Sequence, residues 1–300
     1  MLTEQNKKRL SELAENIYFD EPMSAHNTFR VGGNAEAFVN ASSSMEIVAV
    51  RNYCAENEIP CICIGNGSNI LVRDEGIEGV IISIGSGMSE VQVVDNMIYA
   101  EAGAMMSKVA SAALKAELSG FESLSGIPGS VGGAVFMNAG AYGTEMKDVL
   151  KNATCIMSNN DIVTMNASEL ELSYRHSALE DNGAVVTACC IELKKGSADE
   201  ISALMKDYAQ RRRDKQPLEY PSAGSTFKRP AGYFAGKLIE DSGLKGYTVG
   251  GAQVSEKHAG FVINKGGATA SDVIKLINDV ARIVKEKTGV EIEPEVRILN

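Results

Sequence analysis

Apolar residues recur along this chain in two rhythms, one helical and one strand-like. Between Ser43 and Glu58, Ile47, Val50 and Cys54 share one face, and Ser43-x-x-Glu46 has the pattern of a capping box. A helix is predicted there, ended by Pro60. Cys61-Ile-Cys-Ile64, Ile70-Leu-Val72 and Val80–Ile84 are short apolar runs suited to buried strands. Val91–Val94 and Ile98–Ala102 read as strands about an Asp95-Asn96 turn, and Met106, Val109, Ala110, Ala113 and Leu114 mark one face of a helix. Strands resume near 150–165 and 184–194. Ser197-x-x-Glu200 predicts the start of a further helix, with Ile201, Leu204, Met205 and Tyr208 facing inward and Arg211-Arg212-Arg213 at its end. The last long helix covers about 270–287 on Val273, Leu276, Ile277, Val280 and Val284, and Gly289 stops it. Glu291–Leu299 closes the chain as a strand-like segment.

This order predicts an α+β chain in three parts, 1–84 with an N-terminal helix, 85–196 and 197–300. Its 300 residues can bury sizeable cores, and 44% hydrophobic with 23% charged residues is the balance of a soluble globular chain. A net charge of −10 without a basic run argues against nucleic acid or an anionic membrane as partner. The N-terminal stretch Met1–Arg9 has no apolar core and no window reaches 18 uninterrupted apolar residues, so neither signal peptide nor membrane span is expected. Cys54, Cys61, Cys63, Cys155, Cys189 and Cys190 lack metal-site spacing and are expected to be buried, reduced thiols in a cytoplasmic protein. No strongly apolar surface stripe is evident, and a monomer is expected.

Two glycine-rich segments change this picture. Gly65-Asn66-Gly67-Ser68-Asn69 lies between two predicted strands, where glycines let successive N–H groups converge on a phosphate. It is neither a Walker loop nor a dinucleotide fingerprint, since no Gly-Lys-Ser/Thr follows and a strand replaces the helix. By itself it could equally be a tight turn. The second segment, 119–143, holds seven glycines in 25 residues yet is too apolar for a linker. It is a packing crossover or a second backbone surface for a ligand. Two such loops together suit a long cofactor with a pyrophosphate and a flat ring.

Six motifs occur in a distinctive order: Asn27-Thr-Phe-Arg-Val-Gly-Gly33, Gly65–Asn69, Ser125–Gly143, Ser173-Tyr-Arg175, Gly224-Ser-Thr-Phe-Lys-Arg-Pro230 and Pro294-Glu-Val-Arg297. With them the chain resembles the UDP-N-acetylenolpyruvoylglucosamine reductase family, built on the FAD-binding fold of the vanillyl-alcohol-oxidase type, over nearly its whole length. The resemblance implies that 1–84 and 85–196 form a two-part FAD-binding domain and 197–300 a substrate domain whose last strand returns toward the flavin. Arg30-Val-Gly-Gly33 and the short stretch after Arg175 look like the second subtype, which lacks the tyrosine loop that covers the substrate in the first.

The implied activity is NADPH-dependent reduction of UDP-N-acetylglucosamine enolpyruvate to UDP-N-acetylmuramate, a step of peptidoglycan precursor synthesis, with non-covalent FAD. Hydride would pass from flavin N5 to the vinyl carbon. Arg175 would hold the pyruvyl carboxylate and stabilise the enolate, Ser225 would donate the proton, and Glu295 would assist as a protonated acid. The resemblance assigns the cofactor to Gly65, Asn66, Gly67, Ser68, Asn69, Ile127, Pro128, Gly133, Gly140, Ala141, Tyr174 and Arg297. Substrate contacts are assigned to Arg211, Arg212, Lys215, Lys228, Arg229 and His258, while the Arg cluster equally suits a helix C-terminus with no ligand. No metal is expected. An oxidase on the same scaffold and a non-catalytic flavin- or nucleotide-binding module remain as alternatives. His26, His176 and His258 all lie outside the glycine-rich loops, which weighs against a covalently tethered flavin.

Overall fold

A computed structural model describes all residues, Met1–Asn300. The chain packs into two compact units, Met1–Phe19, Ala37–Asn66 and Gly79–Gln210 forming the first, and Asp20–Glu36, Gly67–Glu78 and Arg211–Asn300 the second. Helices are α1 (Glu4–Leu13), α2 (Ser44–Glu56), α3 (Met106–Lys115), α4 (Val131–Phe136), α5 (Ala178–Asn182), α6 (Ala198–Lys215), α7 (Ala235–Asp241) and α8 (Ala270–Thr288). No helix is long and apolar enough to cross a membrane.

In the first unit an antiparallel five-stranded sheet runs in the spatial order Ile162–Asn166, Leu150–Ile156, Val185–Glu192, Met97–Glu101, Val91–Val94. Cys61–Ile64 pairs in parallel with Ile77–Ser83, and these strands join Ile17–Pro22 and Asn34–Asn40 in a four-stranded sheet. One core gathers α2 through Ile47, Val50 and Cys54 and α3 through Met106, Val109, Ala110 and Ala113, as the helical spacing requires. Ser43 caps α2 by accepting from the Glu46 N–H, but the capping box is not reciprocal. The Glu46 carboxylate instead accepts from the N–H groups of Ser42 and Glu15, which fixes the approach of the preceding chain.

The second unit has its own core, on which α8 lies through Val273, Leu276, Ile277, Val280 and Val284. Thr269 and Asp272 form a reciprocal box at its start, and Asp74 accepts from the N–H groups of Ala270 (2.8 Å) and Ser271 (2.9 Å). Gly289 ends it in the left-handed region at φ 73°. A three-stranded antiparallel sheet, Thr248–Val249, Ala252–Val254 and Val262–Asn264, completes the unit with a parallel pair, Ile70–Val72 and Arg297–Leu299.

Three expectations are corrected. On α6 Ile201 is buried, but Leu204 is 44% exposed, because this helix presents only a narrow stripe to the core. The closing strand is confined to Arg297–Leu299, since Pro294 cannot donate to a ladder and makes only an isolated bridge to Phe227. All six cysteines are free, yet Cys61 and Cys63 are only partly buried.

Candidate functional site

The predicted residues fall into two groups, one on each unit. In the first unit the two glycine-rich segments meet. The Asn66 side-chain amide donates to the Pro128 carbonyl at 3.0 Å. A Cβ at Gly65 would lie 2.5 Å from the Ser130 Oγ, so any side chain there would force that hydroxyl to turn away. Ser130 is 2% exposed and its hydroxyl has no protein partner, although it precedes α4 at the N-cap position. Gly133 lies close by, its Cβ position 3.7 Å from the same oxygen. Neither the Gly65 nor the Asn66 N–H donates within the fold. A buried hydroxyl without a partner costs free energy unless a ligand meets it. This donor set, with bare backbone around it, fits the pyrophosphate of a dinucleotide such as FAD. Ile127 is partly buried and Pro128 exposed on the same segment.

Beyond α4 the chain turns through Asn138 into a short hairpin, Gly140–Ala141 against Thr144–Glu145. Tyr142 at its tip stacks on Tyr208 of α6, ring centroids 4.7 Å apart. Arg175 sits in a tight turn closed by mutual hydrogen bonds between Ser173 and His176, at φ 56°. Its Nη2 donates to the Gly140 carbonyl at 3.4 Å, and its guanidinium lies 5.2 Å from the centroid of the exposed Tyr174 ring. The structure thus brings Gly140, Ala141, Tyr174 and Arg175 together. Burial works to raise the Glu145 carboxyl, but hydrogen bonds from Lys147 and Asn138, with the Arg175 charge, hold it below the usual carboxylate range.

In the second unit the Gly224–Pro230 segment lies antiparallel to Glu293–Glu295. Glu295 N–H donates to the Thr226 carbonyl at 2.7 Å and Lys228 N–H to the Glu293 carbonyl at 2.8 Å, about the Phe227–Pro294 bridge. Ser225, which is exposed, and Glu295, partly buried, are therefore on neighbouring segments in fixed register. Asn69 joins them. Its amide donates to the Glu295 carbonyl at 3.2 Å, and its own carbonyl accepts from the Arg297 N–H at 3.0 Å. Gly67 adopts φ 65° and packs on the His26 carbonyl, while Asn27, buried, donates to the carbonyls of Met23 and Val31 and closes the Asn27–Gly33 motif on itself.

The substrate-assigned residues are dispersed around that unit. Lys228 ion-pairs with Glu293 at 3.7 Å, and Arg229 lies over the Phe234 ring at 4.7 Å. Arg211 and Lys215 are exposed at the end of α6, where the Arg212 Nε donates to Gln216 at 3.2 Å and Lys257 donates to the Arg213 carbonyl at 2.6 Å. His258 accepts from the Gly260 N–H at Nδ1, which leaves Nε2 as the proton-bearing nitrogen, and its edge meets Phe261. Burial pushes its imidazole below the ordinary value.

Ser130, Asn138, Glu145 and Thr226 are the structural residues that sequence reasoning missed. Thr226 is 1% exposed and ties its own segment to two others: its N–H donates to the Gly260 carbonyl, its hydroxyl accepts from the Val262 N–H, and its carbonyl accepts from the Glu295 N–H. Its place inside Gly224–Pro230 was the one available signal.

Known proteins resemble this chain over nearly its whole length. Residues 216–299 match the family model described as UDP-N-acetylenolpyruvoylglucosamine reductase, C-terminal domain, and residues 35–166 match an FAD binding domain. Curated proteins named UDP-N-acetylenolpyruvoylglucosamine reductase are similar throughout. The one from Clostridium novyi is 52% identical over 98% of this chain and 96% of its own, and that from Caldanaerobacter subterraneus is 49% identical over 94% and 93%. The crystal structure of the reductase from Thermus caldophilus superposes with a TM-score of 0.80 at 33% identity, covering 95% of this chain and 98% of that one. A BBE-like protein of Physcomitrella patens, 15% identical with a TM-score of 0.50 over 63% of this chain and 44% of its own, shares the fold.

Proposed function

Because the chain belongs to the UDP-N-acetylenolpyruvoylglucosamine reductase family, we propose that it reduces UDP-N-acetylglucosamine enolpyruvate to UDP-N-acetylmuramate, using NADPH and FAD. The reading places the reaction in the cytoplasm, as a step toward peptidoglycan precursors. The observation that carries it is the fixed register of Gly224–Pro230 against Glu293–Glu295, which holds a hydroxyl and a carboxyl on adjacent backbone.

FAD, when bound, would supply the hydride chemistry that links NADPH to the double bond of the substrate. Gly65, Asn66, Ser130 and Gly133 would hold its pyrophosphate through backbone N–H groups and one hydroxyl, and Gly67, Ser68 and Asn69 are proposed cofactor residues on the resemblance. Arg175 engages the pyruvyl carboxylate. As the double bond is reduced, negative charge would develop on the carbon next to that carboxylate and spread into it, and a fixed guanidinium would stabilise the charge without reorganising. Ser225 donates its proton to the adjacent carbon, which completes net addition of hydride and proton across the double bond. A hydroxyl is a weak acid, but the enolate is a strong base and the donor is held in place. Glu295, protonated, would orient the reacting group without opposing the developing charge. Ile127, Pro128, Gly140, Ala141, Tyr174 and Arg297 are proposed to surround the flavin, and Arg211, Arg212, Lys215, Lys228, Arg229 and His258 to meet the sugar nucleotide.

The test is an anaerobic stopped-flow experiment on FAD-loaded protein, bleached with one equivalent of NADPH and then mixed with the enolpyruvyl sugar nucleotide. Rapid return of flavin absorbance is expected, slowed roughly 100- to 1000-fold in Ser225→Ala. Colour that returns only when O₂ is admitted would overturn the reductase reading. Equal rates in wild type and variant would remove Ser225 from its role.

A further inference from the structure

Asn138 is 0% exposed and sits at φ 44°, a conformation that most side chains resist and that asparagine tolerates. Its amide nitrogen donates to the Ser173 carbonyl at 2.8 Å and to the Glu145 Oε2 at 3.0 Å, and its Oδ1 accepts from the Lys147 N–H at 2.9 Å. One side chain therefore ties three segments: the end of α4, the Glu145–Lys147 arm of the hairpin, and the turn that carries Arg175. Ser173 is the first residue of that turn, and the two hydrogen bonds it exchanges with His176 leave the backbone between them little freedom. The guanidinium then reaches Gly140, whose carbonyl belongs to the same hairpin that Asn138 anchors. Glu145 accepts from both Asn138 and Lys147 Nζ, the latter at 2.8 Å, so its carboxylate is held by its neighbours.

We infer that Asn138, with Glu145 as its acceptor, is the positioning residue for Arg175, and that it sets how strongly this site discriminates for a ligand carboxylate. The inference deepens the proposed function and rests on the reading that Arg175 meets the carboxylate of the substrate. Guanidinium–carboxylate recognition is bidentate and directional, so it depends on where the turn sits more than on the charge alone. No other side-chain type offers two donors, one acceptor and ease at positive φ in the same volume. Aspartate keeps the volume and the backbone preference but presents an acceptor to the Ser173 carbonyl and to Glu145, which reverses both anchors. Glycine keeps the backbone at ease and removes the anchors altogether.

The test compares binding of UDP-N-acetylglucosamine enolpyruvate with binding of UDP-N-acetylglucosamine, which lacks the carboxylate, by calorimetry on the full chain. The ratio of the two affinities reads the enolpyruvyl group, and its loss in Arg175→Ala reads the share that the carboxylate contributes through the guanidinium. Wild type is expected to prefer the enolpyruvyl ligand, and the preference should fall about tenfold in Asn138→Asp and in Asn138→Gly, with affinity for the plain sugar nucleotide little changed. In an Arg175→Ala background either Asn138 change should reduce the ratio no further, because both act through one contact. Asn138→Gly supplies the answer if Asn138→Asp does not fold. A general loss of structure would lower both affinities together, and an unchanged ratio in a folded Asn138 variant would overturn the inference. If wild type itself shows no preference, the role of Arg175 fails first, which separates failure of the premise from failure of the inference.

Discussion

Ser130 and His258 carry opposite kinds of residue-scale cost. The Ser130 hydroxyl is buried without a partner, so removing it relieves the apoprotein and harms only the bound state. Ser130→Ala should weaken FAD binding about tenfold, by flavin fluorescence titration, while the apoprotein melts no lower. Unchanged FAD affinity would show that this oxygen never meets the cofactor. At His258, burial holds the imidazole below its ordinary value. Folding therefore favours the neutral ring. The contribution is fully present above the unfolded value, about 6.5, and is lost as pH falls through the folded value. Thermal melts from about pH 7.5 to about pH 5.5 should show a smaller acid-side loss in His258→Gln than in wild type, and equal losses would assign the effect elsewhere. Neither property was legible beforehand. His258 is named only through the resemblance, and its partly buried setting against Phe261 and the Gly260 N–H comes from a reverse of the chain, while Ser130 looks like one more small residue among glycines.

At the scale of elements, helices with a continuous apolar stripe were the most legible. For α8 the stripe from Val273 to Val284 and the stop at Gly289 were both read from spacing, because a helix satisfies its own backbone and needs only one face to match. Asp74, almost two hundred residues earlier in the sequence, was invisible as its cap. Asp74→Ala should lower stability by about 1–2 kcal/mol in denaturant titration. Burial opposes the ionised Asp74, but the bonds from Ser271 and Ala270 prevail and hold its carboxyl below the usual range. That support is present above the unfolded value and is lost as pH falls through the folded one, so the difference between variant and wild type should shrink in strong acid. Gly289→Ala forces a Cβ into the left-handed region and should cost about 1 kcal/mol, with fraying confined to the last turn of α8 by hydrogen exchange. Shorter elements were less legible: Glu291–Leu299 is strand-like in pattern, yet only Arg297–Leu299 pairs as a strand and Pro294 makes an isolated bridge.

For the whole molecule, two separate cores make stability a regional property. Leu276→Ala, at a fully buried position of the second unit, should cost about 2–5 kcal/mol. Hydrogen exchange should then rise in α7, α8 and the strands beside them ahead of the five-stranded sheet. Loss of protection spread evenly over both units would mean that they unfold as one. The α+β class, the main helices and strands, the two glycine-rich segments and the family follow from local spacing and from motifs in order, and so are written in the chain. That Asn66 and Ser130 share one corner, that Thr226 sets Ser225 against Glu295, and that Asn138 holds the turn of Arg175 emerge only once the chain is folded. Those contacts join residues far apart in the chain, and their partners are backbone carbonyls and N–H groups, which every residue but proline carries in full and no sequence pattern marks.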